Sequence, residues 1–173
     1  MRDTAMKYRC LTVAALALLA SAAHADVEVR FVEGAPKDRF DVVNTGGCGL
    51  GPMGVTIDLT GSAGGLVFDV TAQGAGVEVF QPFDLVAGGD LVTGLPQVGD
   101  GDQKVTLDLT GLGPEQRVSF TIDVDDTGGA REITVSGGEI SGATVQVMGA
   151  AGVTTGAFDD SAVARVAQAG CAS

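Results

Sequence analysis

Between residues 118 and 125 apolar and polar side chains alternate without a break. Val118, Phe120, Ile122 and Val124 take one side of the chain; Ser119, Thr121, Asp123 and Asp125 take the other. A period of two is what a pleated strand imposes, with one face against a core and the other toward water. The polar, glycine-rich stretch Asp126-Thr127-Gly128-Gly129 then turns the chain, and Ile133-Thr134-Val135 opens a second strand. The spacing predicts a hairpin with one oily and one acidic face.

The same chemistry recurs along the chain. Residues 27–33 and 39–44 read as strands around the turn Gly34-Ala35-Pro36-Lys37-Asp38, followed by a Gly/Pro-rich connection from Cys48 to Met53. Val55-Thr56-Ile57-Asp58-Leu59-Thr60-Gly61 is a strand whose near copy, Val105-Thr106-Leu107-Asp108-Leu109-Thr110-Gly111, lies fifty residues later. Each copy leads into another strand, at 66–71 and at 118–125. Two hairpins that reached similar strand chemistry independently account for the likeness better than a duplication, and two copies are too few for a solenoid. Residues 76–81 and 142–147 add strands, 88–103 is mostly loop with a tight turn at Gly99-Asp100-Gly101-Asp102, and 162–167 is read as a last strand rather than a short helix. Strands this short, separated by glycine-rich turns, predict an all-β fold: an antiparallel Ig-like or Greek-key sandwich of roughly eight to ten strands. An outer-membrane barrel is disfavoured, because aromatic girdles are missing and the chain closes on Ala172-Ser173 rather than an aromatic residue.

The first 25 residues are expected to be a cleaved signal peptide, leaving residues 26–173 as a single domain. Arg2, Lys7 and Arg9 precede a short apolar run from Leu11 to Ala20, and Ala23-His24-Ala25 supplies a small-x-small cleavage pattern. The run is shorter than the roughly 20 residues a membrane-spanning helix needs. Cleavage leaves 173 − 25 = 148 residues with 10 − 3 = 7 Lys and Arg against 22 − 1 = 21 Asp and Glu, a net charge of −14. Such a surface repels nucleic acid and anionic lipid and favours cations. Export points to the periplasm or the exterior, where the two remaining cysteines, Cys48 and Cys171, are expected to form a disulfide. Two separate thiols, buried or linked to a partner, are the alternative.

The only His (His24) and the only Tyr (Tyr8) fall in the signal, and there is no Trp. The mature chain therefore has no imidazole for a nucleophile–base pair or for zinc, and the reading is of a protein that is not an enzyme. The chemistry left to it is that of carboxylates. Asp123, Asp125 and Asp126 enter a turn with Glu132 just beyond, and Asp100 and Asp102 form a second cluster on a loop. Several oxygens beside glycine-rich backbone suit calcium, although neither cluster has the spacing of an EF-hand. Asp58, Asp69, Asp108 and Asp123 occupy outward strand positions, where a pair could serve a carboxylate-only glycan hydrolase. Solvated strand faces explain the same residues more simply.

Asp38-Arg39-Phe40-Asp41-Val42-Val43-Asn44-Thr45, Val79-Phe80-Gln81-Pro82-Phe83-Asp84-Leu85-Val86 and Phe120-Thr121-Ile122-Asp123-Val124-Asp125-Asp126-Thr127 together resemble small secreted bacterial proteins labelled aggregation factor core proteins, after a sponge component of calcium-dependent cell adhesion. The resemblance implies an adhesion or extracellular-matrix role, with an extracellular or cell-surface protein or glycan as partner, or self-association. A periplasmic accessory domain that binds a protein partner is the alternative.

Overall fold

The computed structural model describes residues 25–71, 81–127 and 135–168. Nearly all of their regular structure is strand, and every strand pair is antiparallel, so the all-β sandwich expected from the alternation is what the chain forms. The strands are β1 (Ala25–Val32), β2 (Asp38–Asn44), β3 (Met53–Asp58), β4 (Val67–Phe68), β5 (Asp84–Ala87), β6 (Lys104–Leu109), β7 (Arg117–Ile122), β8 (Val124–Asp125), β9 (Thr144–Gly149), β10 (Gly152–Ala157) and β11 (Val163–Gln168). One sheet runs β11-β1-β2-β7-β5, a second runs β10-β9-β3-β6, and β4 and β8 form a small separate ribbon. Among the described residues there are eleven strands against the expected eight to ten, because the run at 118–125 divides into β7 and β8 and because β5 and β10 are not among the expected strands.

The inward alternation is as expected. Val118, Phe120, Ile122 and Val124 are buried, as are Val27, Val29, Phe31, Phe40 and Val42 from β1 and β2 and Val55, Ile57, Val105, Leu107, Val145 and Val147 from the second sheet. These residues form one continuous core. At its centre Phe120 stacks on Phe40 at 5.2 Å and on Phe83 at 4.8 Å, and Phe158 meets Phe40 edge-on at 6.5 Å. Each such ring contributes about 1.5–3 kcal/mol by leaving water, and each ring pair about 0.5–1.5 more.

Three expectations are corrected. The strand at 118–125 does not stay with one partner. It breaks at Asp123, so that β7 lies between β2 and β5 while β8 leaves the sheet to pair with β4. Of its expected return strand Ile133-Thr134-Val135, the first two residues lie outside the described residues, as do 76–80 of the strand expected at 76–81, while Val135 is buried in the core. The outward residues are also less wet than alternation implies. Ser119 is buried and donates to Asp41 (2.6 Å), and Glu28 lies under Arg30 and Arg165 at 2.6 and 3.0 Å. Arginine stems roof this face, keeping their charged heads in water. Finally, the two near-copies are not separate hairpins. They are neighbours, β3 against β6, with Thr56 opposite Thr106 and their hydroxyls 2.8 Å apart.

The two sheets are joined along both sides. On one, Phe158 bridges to Ala164, Asp159 N–H donates to the Val163 carbonyl, and Gln168 Nε2 donates to Thr154 Oγ1, tying β10 to β11. On the other, the chain leaving β5 passes a short 3-10 turn (Gly89–Leu91) and bonds to the rim of β6 through Thr93 N–H to Asp108 O and Thr110 N–H to Leu91 O.

Candidate metal centre

The break at Asp123 creates the most unusual polar site among the described residues. In the β4–β8 ribbon Phe68 faces Val124 and Val67 faces Asp125, and the Asp69 N–H continues the ladder to the Asp123 carbonyl at 3.2 Å. Phe68 and Val124 point into the core. The strand period therefore sends Asp69, Asp123 and Asp125 to the opposite face together. An oxygen from each of these three carboxylates lies within 4.8 Å of the others.

That face is not open to water. Asp69 is 3% exposed, and Asp123 and Asp125 are half-buried. Both carboxylate oxygens of Asp69 and one of Asp125 are buried with no hydrogen-bond partner. Burial and the neighbouring Asp125 and Asp100 carboxylates push Asp69 up to about 6; burial, Asp125 and Asp69 push Asp123 to about 7. Asp38, 2% exposed at the start of β2, is raised to about 7, mainly by burial and further by the nearby Asp123, while the Gly34 N–H it accepts pulls the other way. Oriented with its nitrogen toward them, the buried Gln81 amide donates to both Asp123 oxygens (3.1 and 3.2 Å) and to the Pro36 carbonyl. Lys37, whose positive charge acts on Asp123, is engaged by Asp84 and donates to the Pro82 carbonyl (3.0 Å).

Asp100 stands beside Asp69 and is differently held. It accepts the backbone N–H groups of Val70 and Thr71, each at 2.8 Å, and the Thr71 hydroxyl, which keep its carboxyl below the usual range. Asp102 is a turn former, accepting Gly99 N–H at 2.8 Å. Asp126 is half-buried and outside the three-carboxylate group. Glu132 lies outside the described residues. So do Cys171 and, with it, the expected pairing with Cys48.

Of the residues proposed from sequence, Asp123 and Asp125 are thus brought together and Asp100 is placed at their border, while Asp69 was assigned to a solvated face. The signal for Asp69 was present: it alternates with Leu66, Phe68 and Val70, all buried. The alternation gave its side of the strand correctly, but a strand face can be roofed, and this one is. Asp58 and Asp108 do lie on an outward face, that of the second sheet, with Asp58 paired to Lys104 at 2.9 Å.

Chemically, three carboxylates this close repel by an amount on the order of 3 kcal/mol per pair at an effective dielectric constant of about 20. The repulsion is relieved by protons or by a cation. The adjoining hollow of about 250 Å³, lined by Val70, Phe83, Leu95 and Val98 among others, is smaller than most ligand pockets, which run to roughly 300–1,000 Å³. No described helix is long and apolar enough to cross a membrane. Compared with protein-family models, curated proteins and solved structures, the chain matches none.

Proposed function

We propose that this protein is a non-catalytic exported module of the adhesion or matrix type, which holds an extracellular or cell-surface protein or glycan, or further copies of itself, through the outer face of its second sheet. The observation that carries this reading is the composition of that face. Register aligns three rows across β10, β9, β3 and β6: Val153-Met148-Gly54-Asp108, Thr155-Gln146-Thr56-Thr106 and Ala157-Thr144-Asp58-Lys104. Among the described residues nothing lies over it, and Met148 and Val153, opposite one another, are 62% and 60% exposed. A sheet face of hydroxyls, one amide and three charged groups, with an apolar pair at one end, suits broad, shallow contact rather than turnover of an enclosed substrate.

Beads coated with the protein recovered from the culture medium provide the test. They should clump or capture producing cells, and Met148→Lys with Val153→Lys should abolish this while leaving the melting temperature within a few degrees. Coated beads that neither clump nor capture cells would remove the reading. Recovery of the protein only from the soluble periplasm would favour an accessory domain instead.

A further inference from the structure

We propose that Asp69, Asp123 and Asp125 form a binding site for a single divalent cation of the calcium class, bordered by Asp100. The inference goes beyond the adhesion reading and stands if that reading fails. A group of acidic residues alone is ordinary in a chain this acidic. What sets this one apart is Asp69: almost wholly buried, aimed at two other carboxylates, and without a donor for either of its oxygens. Buried polar groups are nearly always partnered, and an orphan calls for a reason such as an ion. Here one buried oxygen of Asp125 is orphaned at the same place.

The donor set selects the ion. All three side chains offer oxygen only, which suits hard cations and not zinc or copper. Calcium binds oxygens at roughly 2.3–2.6 Å, so two on opposite sides of it stand roughly 4.6–5.2 Å apart. Oxygens that already lie within 4.8 Å of one another can share one such ion. Magnesium needs shorter bonds in near-ideal octahedral geometry and keeps most of its waters, which a roofed cluster accommodates poorly. The backbone also contributes. Asp69 follows β4 directly and Asp123 and Asp125 flank Val124 of β8, so one ion would tie both arms of the ribbon and hold β8 where it leaves β7.

The test is calorimetric titration of the exported protein with calcium chloride and with magnesium chloride after chelation, with thermal melts alongside. Calcium should bind at one site per chain and raise the melting temperature by roughly 5–10 °C at a hundredfold excess over Kd. Magnesium should bind at least tenfold more weakly. Asp69→Asn should remove the calcium-dependent rise and, in chelator, melt above the unsubstituted protein, because a buried charge without a donor has gone. Asp125→Asn gives a second reading should Asp69→Asn fail to fold, and Asp102→Asn should leave the rise intact. Calcium binding that is absent at millimolar concentration in the unsubstituted protein, or that persists in both Asp69→Asn and Asp125→Asn, would overturn the assignment. Calcium binding with no capture of cells would retain the site and remove only the adhesion role.

Discussion

Asn44 shows how one side chain can hold several connections at once. It ends β2 fully buried, its Nδ2 donating to the Cys48 and Leu112 carbonyls at 2.8 and 2.9 Å and its Oδ1 accepting Gly46 N–H at 2.9 Å. Asn44→Ala removes the amide donor to both carbonyls, of which that of Leu112 keeps the Leu50 N–H at 2.9 Å, and the acceptor of the Gly46 N–H, and should cost about 1–3 kcal/mol, read as a shifted midpoint in urea unfolding. The carboxyls of Asp38, Asp69 and Asp123 give a second residue-scale expectation. Their values in the folded chain, about 7, 6 and 7, lie above the ordinary 3.8. Between these limits the folded state holds protons the unfolded state has released, so stability falls as pH rises. In chelator the melting temperature should be highest near pH 4 and decline toward pH 7, and Asp38→Asn should flatten that decline; a melting temperature that rises over this range would contradict the burial of these groups. Sequence alone shows Asn44-Thr45-Gly46-Gly47 as a turn, because Asn and Gly are turn formers. That Asn44 reaches across to Leu112, 68 positions away, depends on a tertiary fit that no local pattern encodes.

At the scale of elements, legibility followed burial. Strands with one face in the core, such as β1, β3, β6, β7 and β9, alternate clearly and were placed within a few residues. β10 was missed because none of its residues is fully buried and two are glycine, so no apolar period marks it. One of those glycines is what lets it dock. A Cβ at Gly156 would stand 2.2 Å from the Arg165 carbonyl oxygen and 3.2 Å from Val166 Cγ2. Gly156→Val should therefore push β10 off β11 at a cost of roughly 1–3 kcal/mol, and faster amide exchange should be confined to β10 and the end of β11. Uniform exchange across both sheets would mean the seam is not a local feature. The ribbon of β4 and β8 escaped notice for another reason: the alternation through 118–125 continues unbroken across Asp123, although the backbone changes partner there. Side-chain period reports which face a residue takes, and not which strand lies beside it.

For the whole molecule, fold class was readable because periodicity and turn chemistry agree over most of the chain, and the candidate metal site was readable only in part because it needs two distant segments on one roofed face. The chain's ends supply a further prediction. β11 runs beside β1, with Ala167 opposite Asp26, and the Asp26 carbonyl accepts Thr45 N–H at 2.9 Å in the loop that leads to Cys48. Residue 168 thus reaches the end of the sheet from which Cys48 departs. We expect the exported protein to begin at Asp26 and to carry a Cys48–Cys171 disulfide closing 171 − 48 + 1 = 124 residues. Intact mass should be 2 Da below the reduced form, and reduction should destabilise by about 5 kcal/mol at most. The paired rims described above bear on life at high local concentration. The chain just past β10 bonds across to β11, Phe158 beside Ala164 and the Asp159 N–H on the Val163 carbonyl, and the chain leaving β5 bonds along the Asp108–Thr110 end of β6, so at those points the main chain is already engaged and gives a neighbour less to extend. Crowded copies are thereby hindered from growing a continuous fibre at these points, and contacts made there through side chains are ones that salt, pH or competitors can undo.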